Sequence, residues 1–557
     1  MRVVIALILF FLPAAGTQCF ADEEPVRQQI QQWVQQLGHE SFLIRQRAES
    51  LLIRMGIQAY PELQRAKQNP DVEITQRAEY ILSQIEQASL NTENREAASW
   101  IQLYMLDANP AFRARIIWVL ADPNLDLAKG EGLQTLCRLA RFEENSALRL
   151  EAAKSLIASP PTSLTARQRW FQYIRNNIHG ADENEPLQRA TEYAKLWCEL
   201  DSTDERKTPE FQERVRQVSI ETLRLLERPE NRIQSGSKID ILLYYAVAEL
   251  QDAVGLTADR DKTVSLALAI EPGPIQTAES LQPIGLEDGL PMNEHYHTGL
   301  YLKYRFRIHW AINHFRKVIE SEHSDVTLRI EASRLAVGAA LYLADYALAI
   351  AFIDKHIEIF SAPDTVRNDV EIAIALAQRQ RAYCTAKQAA EADNWGGVRE
   401  AVMQAWTVAL PKNRDIAGDS TDMDLLIIAH QLCMQLPDVG HEFKEKMNAQ
   451  HAKTWNNIVA DYENATFDLR QIKTVSTFNT AAWLLANTDG DYSSALTLVE
   501  AALKVEPDDI AIQDTLAHVY FLGGKIEEAI RIQKQVVRLA PEVVIFQRAL
   551  ERFKQAR

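Results

Sequence analysis

The sequence predicts an all-α protein, an α-solenoid built from stacked helical hairpins, and three observations carry that prediction. Two repeat patterns run along the 557 residues, one in the first third and one in the last half. Apolar residues recur at the helical period between them, as in TARQRWFQYIRNNI and KIDILLYYAVAEL. The length exceeds the roughly 250 to 300 residues at which a single hydrophobic core stops growing, so several cores or one long stack are needed.

At the N-terminus, Arg2 precedes the apolar run VVIALILFFLPAA, and the small residues of GTQCFA lead to acidic Asp22, Glu23 and Glu24. This is the layout of a signal peptide, with cleavage after Ala21. The apolar core of 13 residues falls short of the roughly 20 needed to span a bilayer. No later uncharged segment reaches that length. The expectation is an exported protein, periplasmic or envelope-associated, with no membrane span. A lipid anchor on Cys19 is the competing reading, but Gly16, Thr17 and Gln18 suit lipoprotein processing poorly.

The net charge of −16 repels phosphate backbones, so no nucleic-acid partner is expected. Beyond the leader stand Cys137, Cys198, Cys384 and Cys433, without a CxxC pair. Metal and redox spacing is absent. Buried free thiols are the expectation, and a disulfide stays open for an oxidising compartment.

Between residues 40 and 160 one pattern recurs: an apolar residue, a position favouring Arg, a small or aliphatic residue, then Leu. The copies are Ile44-Arg45, Ala48, Leu52; Ile74-Thr75, Ala78, Leu82; Phe112-Arg113, Ile116, Leu120; and Leu148-Arg149, Ala152, Leu156. The i, i+4, i+8 placement puts the apolar residues on one helix face, with Arg beside it to reach a neighbouring unit. Acidic, Asn or Pro punctuation before each copy supplies caps and breaks. The stretches FLIRQRAESLLIRMG and ALRLEAAKSLIAS resemble HEAT repeats, which implies a HEAT-like array over residues 22–160.

Residues 161–270 read as a helical middle region without a repeat offset. Residues 271–291, EPGPIQTAESLQPIGLEDGLP, hold four prolines and three glycines and cannot form one helix. They read as a linker or a surface loop.

The C-terminal pattern is sharper. Pro507 and Pro541 lie 34 residues apart, and the same offsets before them carry Ala495 and Ala529, Gly490 and Gly524, Ala502 and Val536. Ala lets two helices cross closely, Gly permits the turn, and Pro stops one unit and starts the next. This resembles two tetratricopeptide repeats, residues 476–509 and 510–543, although Asn479 and Gln513 stand where that family favours Trp. A third copy fits 292–325 through Gly299, Ala311, Phe315 and Val318. A weaker fourth carries Tyr346, Ala349 and Ile353, and residues 391–411 read as another second helix. The repeat region is therefore 292–557, closed by a last helix whose basic face (Arg548, Arg552, Lys554, Arg557) opposes the helix dipole.

No P-loop, GxSxG elbow, HExxH or CxxCH occurs; Gly523-Gly524-Lys525 belongs to a repeat turn. His295 and His297 would diverge on a helix rather than meet on a metal. Asp415, Asp419, Asp422 and Asp424 lack EF-hand spacing and read as a solvated loop capping a helix at Leu425. Tryptophans such as Trp33, Trp118, Trp170, Trp197, Trp310, Trp406 and Trp483 read as core. No catalytic residue, metal site or cofactor is predicted.

What remains is binding, since solenoids expose a long concave surface. The tetratricopeptide resemblance implies a groove for extended peptides or helices, lined here by Thr477, Thr480, Leu484 and Asn487, then Ala511, Asp514, His518 and Phe521. Thr480, Leu484, Asn487, Asp514, His518 and Phe521 are the candidate partner-binding residues. Asp514 and His518 stand where a carboxylate clamp would need a cation or amide, so a neutral or basic protein partner is expected. The predicted function is an exported, non-catalytic interaction scaffold. The alternatives are an enzyme with a site inside 161–291 and an architectural envelope protein that self-associates.

Overall fold

The computed structural model describes residues 23–90, 100–101, 103–104, 109–121, 131–143, 145–158, 160–161, 164–178, 185–202, 208–226, 238–270, 294–321, 324–362, 370–408, 420–464, 472–488 and 490–557. Every regular element among the described residues is helical. Residues 1–22, expected to hold the signal peptide with Cys19, the 271–291 stretch, Asp415 and Asp419 lie outside the described residues. The chain forms two units, residues 1–234 with 242–263, and residues 235–241 with 264–557. That division falls upstream of residues 271–291.

The first unit opens with α1 (Glu23–Gln36), α2 (Phe42–Met55), α3 (Tyr60–Ala66) and α4 (Val72–Leu90). The stacking residues Ala48, Leu52, Ala78 and Leu82 are buried together. Arg45 on α2 pairs with Glu73 on α4 at 3.0 Å, and Arg77 on α4 returns to Glu49 on α2 at 2.7 Å. Arg77 therefore does for the second copy what Thr75, in the Arg slot, does not. Such half-exposed pairs are worth about 1 kcal/mol at most, so they set the register of the stack more than its stability.

The unit continues through α5 (Pro110–Ala121), α6 (Glu131–Phe142), α7 (Ser146–Ala158), α8 (Leu164–Ile178), α9 (Glu185–Ser202) and α10 (Pro209–Leu223), and takes residues 242–253 of α11 (Lys238–Ala253) and 257–263 of α12 (Thr257–Ala269). Ile116, Leu120, Leu148, Ala152 and Leu156 join a core centred on Trp170 and Tyr193, whose rings meet edge to face at 6.1 Å. Their polar tips are satisfied inside it: the Trp170 indole donates to Leu156 O at 3.2 Å and the Tyr193 hydroxyl to Ala246 O at 2.7 Å.

The second unit is a run of hairpins: α13 (Glu294–Tyr304) with α14 (Ile308–Glu320), α15 (Val326–Tyr342) with α16 (Tyr346–Phe360), α17 (Val370–Glu391) with α18 (Trp395–Thr407) and α19 (Ser420–Gln435) with α20 (His441–Asn464). Then come α21 (Ile472–Ala486) with α22 (Tyr492–Val505), α23 (Ile510–Leu522) with α24 (Ile526–Leu539), and a single α25 (Val544–Gln555). At Gly299 the neighbouring helix packs a side chain against the bare backbone. A Cβ on Gly299 would stand 2.7 Å from the Phe315 ring.

Four of the turns inside hairpins are one motif. Phe306, Ala344, Asp393 and Gly524 hold left-handed φ of 57°, 52°, 54° and 70°. The next N–H reaches back across the turn, from Arg307 to Leu302 O at 2.9 Å, Asp345 to Ala340 O at 3.0 Å, Asn394 to Ala389 O at 2.8 Å and Lys525 to Tyr520 O at 2.9 Å. Asp345, Asn394 and Asp491 then cap the second helices by accepting from Leu348, Gly397 and Ser494.

The Asp cluster is not a solvated loop where it is described. Asp422 lies in the first turn of α19 and pairs with the buried Arg379 of α17 at 2.9 Å, because that guanidinium needs a carboxylate to enter the core. His295 and His297 do diverge: His295 packs inward with its Nδ1 2.8 Å from Nδ1 of His314, while His297 meets the edge of Tyr296. The four cysteines are free, Cys137 and Cys384 buried. Among the described residues no helix is long and apolar enough to cross a membrane, and no group of three or more His, Cys, Asp or Glu is placed to hold a metal ion.

Candidate partner-binding groove

Among the first helices of the second unit's hairpins, α13 packs on α15, α17 on α19, α19 on α21 and α21 on α23. The six candidate residues fall on the last two of them or at their ends. Leu484, Asp514 and His518 are buried, whereas Thr480, Asn487 and Phe521 keep partial exposure. Two of them, Asn487 and His518, are brought together by a polar contact. The Nδ1 of His518 lies 2.8 Å from Asn487 Oδ1, its ring centroid is 4.5 Å from that of Trp483 with the planes tilted by 47°, and Phe521 lies one turn further along.

What covers this surface is the chain's own last helix. Phe553 of α25 stacks on Phe521 at 4.6 Å and meets His518 edge-on at 5.2 Å. The Arg552 guanidinium lies 5.3 Å from both the Phe521 and the Phe553 ring centroids, a cation–π contact on each. The basic face expected of the last helix is thus divided: Arg548, Lys554 and Arg557 pair with exposed acids, while Arg552 turns onto the groove.

Behind the rings, Gln533 of α24 acts as a bracket. Its amide nitrogen donates one hydrogen to Asp514 Oδ1 at 2.6 Å and the other to Phe546 O of α25 at 3.1 Å. Burial pushes the Asp514 carboxyl up to about 7, against the pull of the Gln533 hydrogen bond and of Arg552. Burial, with Arg552 adding to it, holds the His518 imidazole well below its ordinary value, so it is neutral at pH 7.

A neutral His518 cannot satisfy both neighbours. If Nδ1 carries the proton it donates to Asn487 Oδ1 and confronts the N–H of Arg552, 3.1 Å away. If Nδ1 is bare it accepts from Arg552 and loses Asn487. Turning the Asn487 amide over is no remedy, since its nitrogen already donates to Trp483 O at 3.0 Å. Gln533 Oε1 is also buried without a partner.

Residues 486–552 match the tetratricopeptide repeat family. That segment runs from the end of α21 to Arg552 and so contains the groove's second wall and most of α25. No curated protein matches the chain. Among solved structures, the APC/C hetero-tetramer Cut9–Hcn1 aligns over 91% of this chain and 86% of its own, at 12% identity and a TM-score of 0.24. A monomeric IFIT1 mutant with Gppp-AAAA aligns over 92% and 100%, at 13% identity and a TM-score of 0.21. Neither likeness informs on ligands.

The sequence pattern pointed to the surface of α21 and α23 but not to the helix packed against it. Phe546 and Phe553 are seven residues apart, two helical turns on one face, which is a legible aromatic stripe. Gln533, on a second helix of a hairpin, carries no sequence signal for its bridging position.

Proposed function

We propose that this chain is a non-catalytic, exported protein-interaction scaffold whose partners bind along the first helices α21 and α23, at the surface bounded by Thr480, Leu484, Asn487, Asp514, His518 and Phe521. Tetratricopeptide repeats generally mediate protein–protein contacts, and the observation that carries the reading is that this surface already accommodates an amphipathic helix through stacked rings. The N-terminal array is read as HEAT-like, supported by the reciprocal Arg45–Glu73 and Arg77–Glu49 pairs between consecutive hairpins.

Crosslinking in the native envelope fraction, followed by mass spectrometry, tests the assignment. Thr480→Arg and Phe521→Ala alter half-exposed positions without burying a new charge in the core. Loss of at least one crosslinked partner in each is expected. An unchanged partner set in both variants would show that binding occurs elsewhere.

A further inference from the structure

A helix that merely caps a repeat stack needs to cover only the hairpin before it, and α25 does more. Glu542, just ahead of it, accepts from the His309 backbone N–H at 3.2 Å and faces Arg307 at 3.6 Å, at the start of α14. Phe546 sits 6.1 Å from the ring of Phe306 and 6.2 Å from that of Tyr342. Arg548 pairs with Glu391 at the end of α17. The helix therefore joins the last hairpin to the first three.

Phe306 makes this contact from a left-handed backbone position, φ 57°, where Gly524 serves in the equivalent turn. A bulky side chain there is strained, and its ring faces α25. The polar contacts of α25, in contrast, are incomplete: His518 cannot satisfy Arg552 and Asn487 together, and Gln533 Oε1 has no donor. Shape and aromatic stacking hold the helix, while its hydrogen bonding leaves room for a better match.

We propose that α25 is a built-in occupant of the groove, and that the external partner is an amphipathic helix displacing it with the same chemistry. That chemistry is a pair of aromatic residues seven positions apart, as in Phe546 and Phe553; the partner need not repeat Arg552, which competes with Asn487 for His518. The inference rests on the groove assignment above. Partner binding is then a competition, and the apparent affinity of the full chain is lowered by the fraction of molecules in which α25 is docked.

The test uses the full chain and a labelled peptide of residues 541–557. The Phe546→Ala/Phe553→Ala double variant is expected to bind the peptide about tenfold or more tightly than the natural chain does. A peptide carrying the same two substitutions is expected not to bind. Equal affinity for both chains, or no binding to a double variant that retains its helical circular dichroism, overturns the proposal. Should the double variant not fold, excess peptide is added to the isotope-labelled natural chain and hydrogen exchange is followed. Faster exchange in 544–555 with continued protection of 510–522 supports displacement; unchanged exchange refutes it. If displacement fails while Phe521→Ala still loses a crosslinked partner, the groove assignment stands and only its self-occupancy falls.

Discussion

Asp514 and His518 sit one helical turn apart on α23 and titrate in opposite senses. The Asp514 carboxyl is raised from its ordinary 3.8 to about 7, so it weakens the fold progressively as pH rises through that interval and fully above it. Asp514→Asn keeps an oxygen for Gln533 and removes the titration. The variant should gain stability over the natural chain between pH 4 and 7, by at most about 4 kcal/mol for a shift of about three units, and level off above. Urea midpoints at pH 5 and 8 read this directly, and a constant difference would contradict the assignment. His518, depressed by burial, opposes folding as pH falls below 6.5. A second residue-scale expectation concerns Phe306. Phe306→Gly relieves about 1 to 2 kcal/mol of left-handed strain and forfeits ring contacts of similar size with Tyr342 and Phe546. The melting temperature should scarcely move while amide exchange in α25 accelerates; unaltered exchange would mean the ring does not hold that helix.

The hairpin crossings and turns explain which elements were legible. Gly299 was found because its lack of a side chain is a requirement: Gly299→Ala would press a methyl group against Phe315 and should cost about 1 to 3 kcal/mol, measurable by thermal melting. A tolerated substitution would mean the two helices can separate. The turn motif was only partly readable. Its left-handed position is glycine in α23–α24 but Phe306, Ala344 and Asp393 elsewhere, so a search for glycine at a fixed offset passes over three of the four. Helix length hid more, because α17 has 22 residues and α20 has 24, which breaks the 34-residue register that exposed the last two repeats. At the candidate groove, spacing singled out residues of α21 and α23 but not the contacts of α25, since α25 reaches residues far away in sequence and no local pattern encodes such a contact. The Asp422–Arg379 pair was missed for the same reason.

On the scale of the whole molecule, the signal peptide proposed for residues 1–21 makes the plainest commitment. Protein recovered from its native envelope fraction should begin at Asp22, by N-terminal sequencing or intact mass, and an uncleaved chain confined to the cytoplasm would contradict export. The docking of α25 on the first hairpins has another consequence, for the way the second unit folds. An open solenoid touches only its neighbours, so it can nucleate anywhere and fray from either end. Here His309 and Glu542 meet across 233 positions of sequence and Arg548 and Glu391 across 157. Such long-range closure raises contact order and removes one loose end, which favours slower, more concerted folding. Stopped-flow refolding should show a late phase that Glu542→Ala accelerates or abolishes, because joining the two ends would be the last step rather than the first.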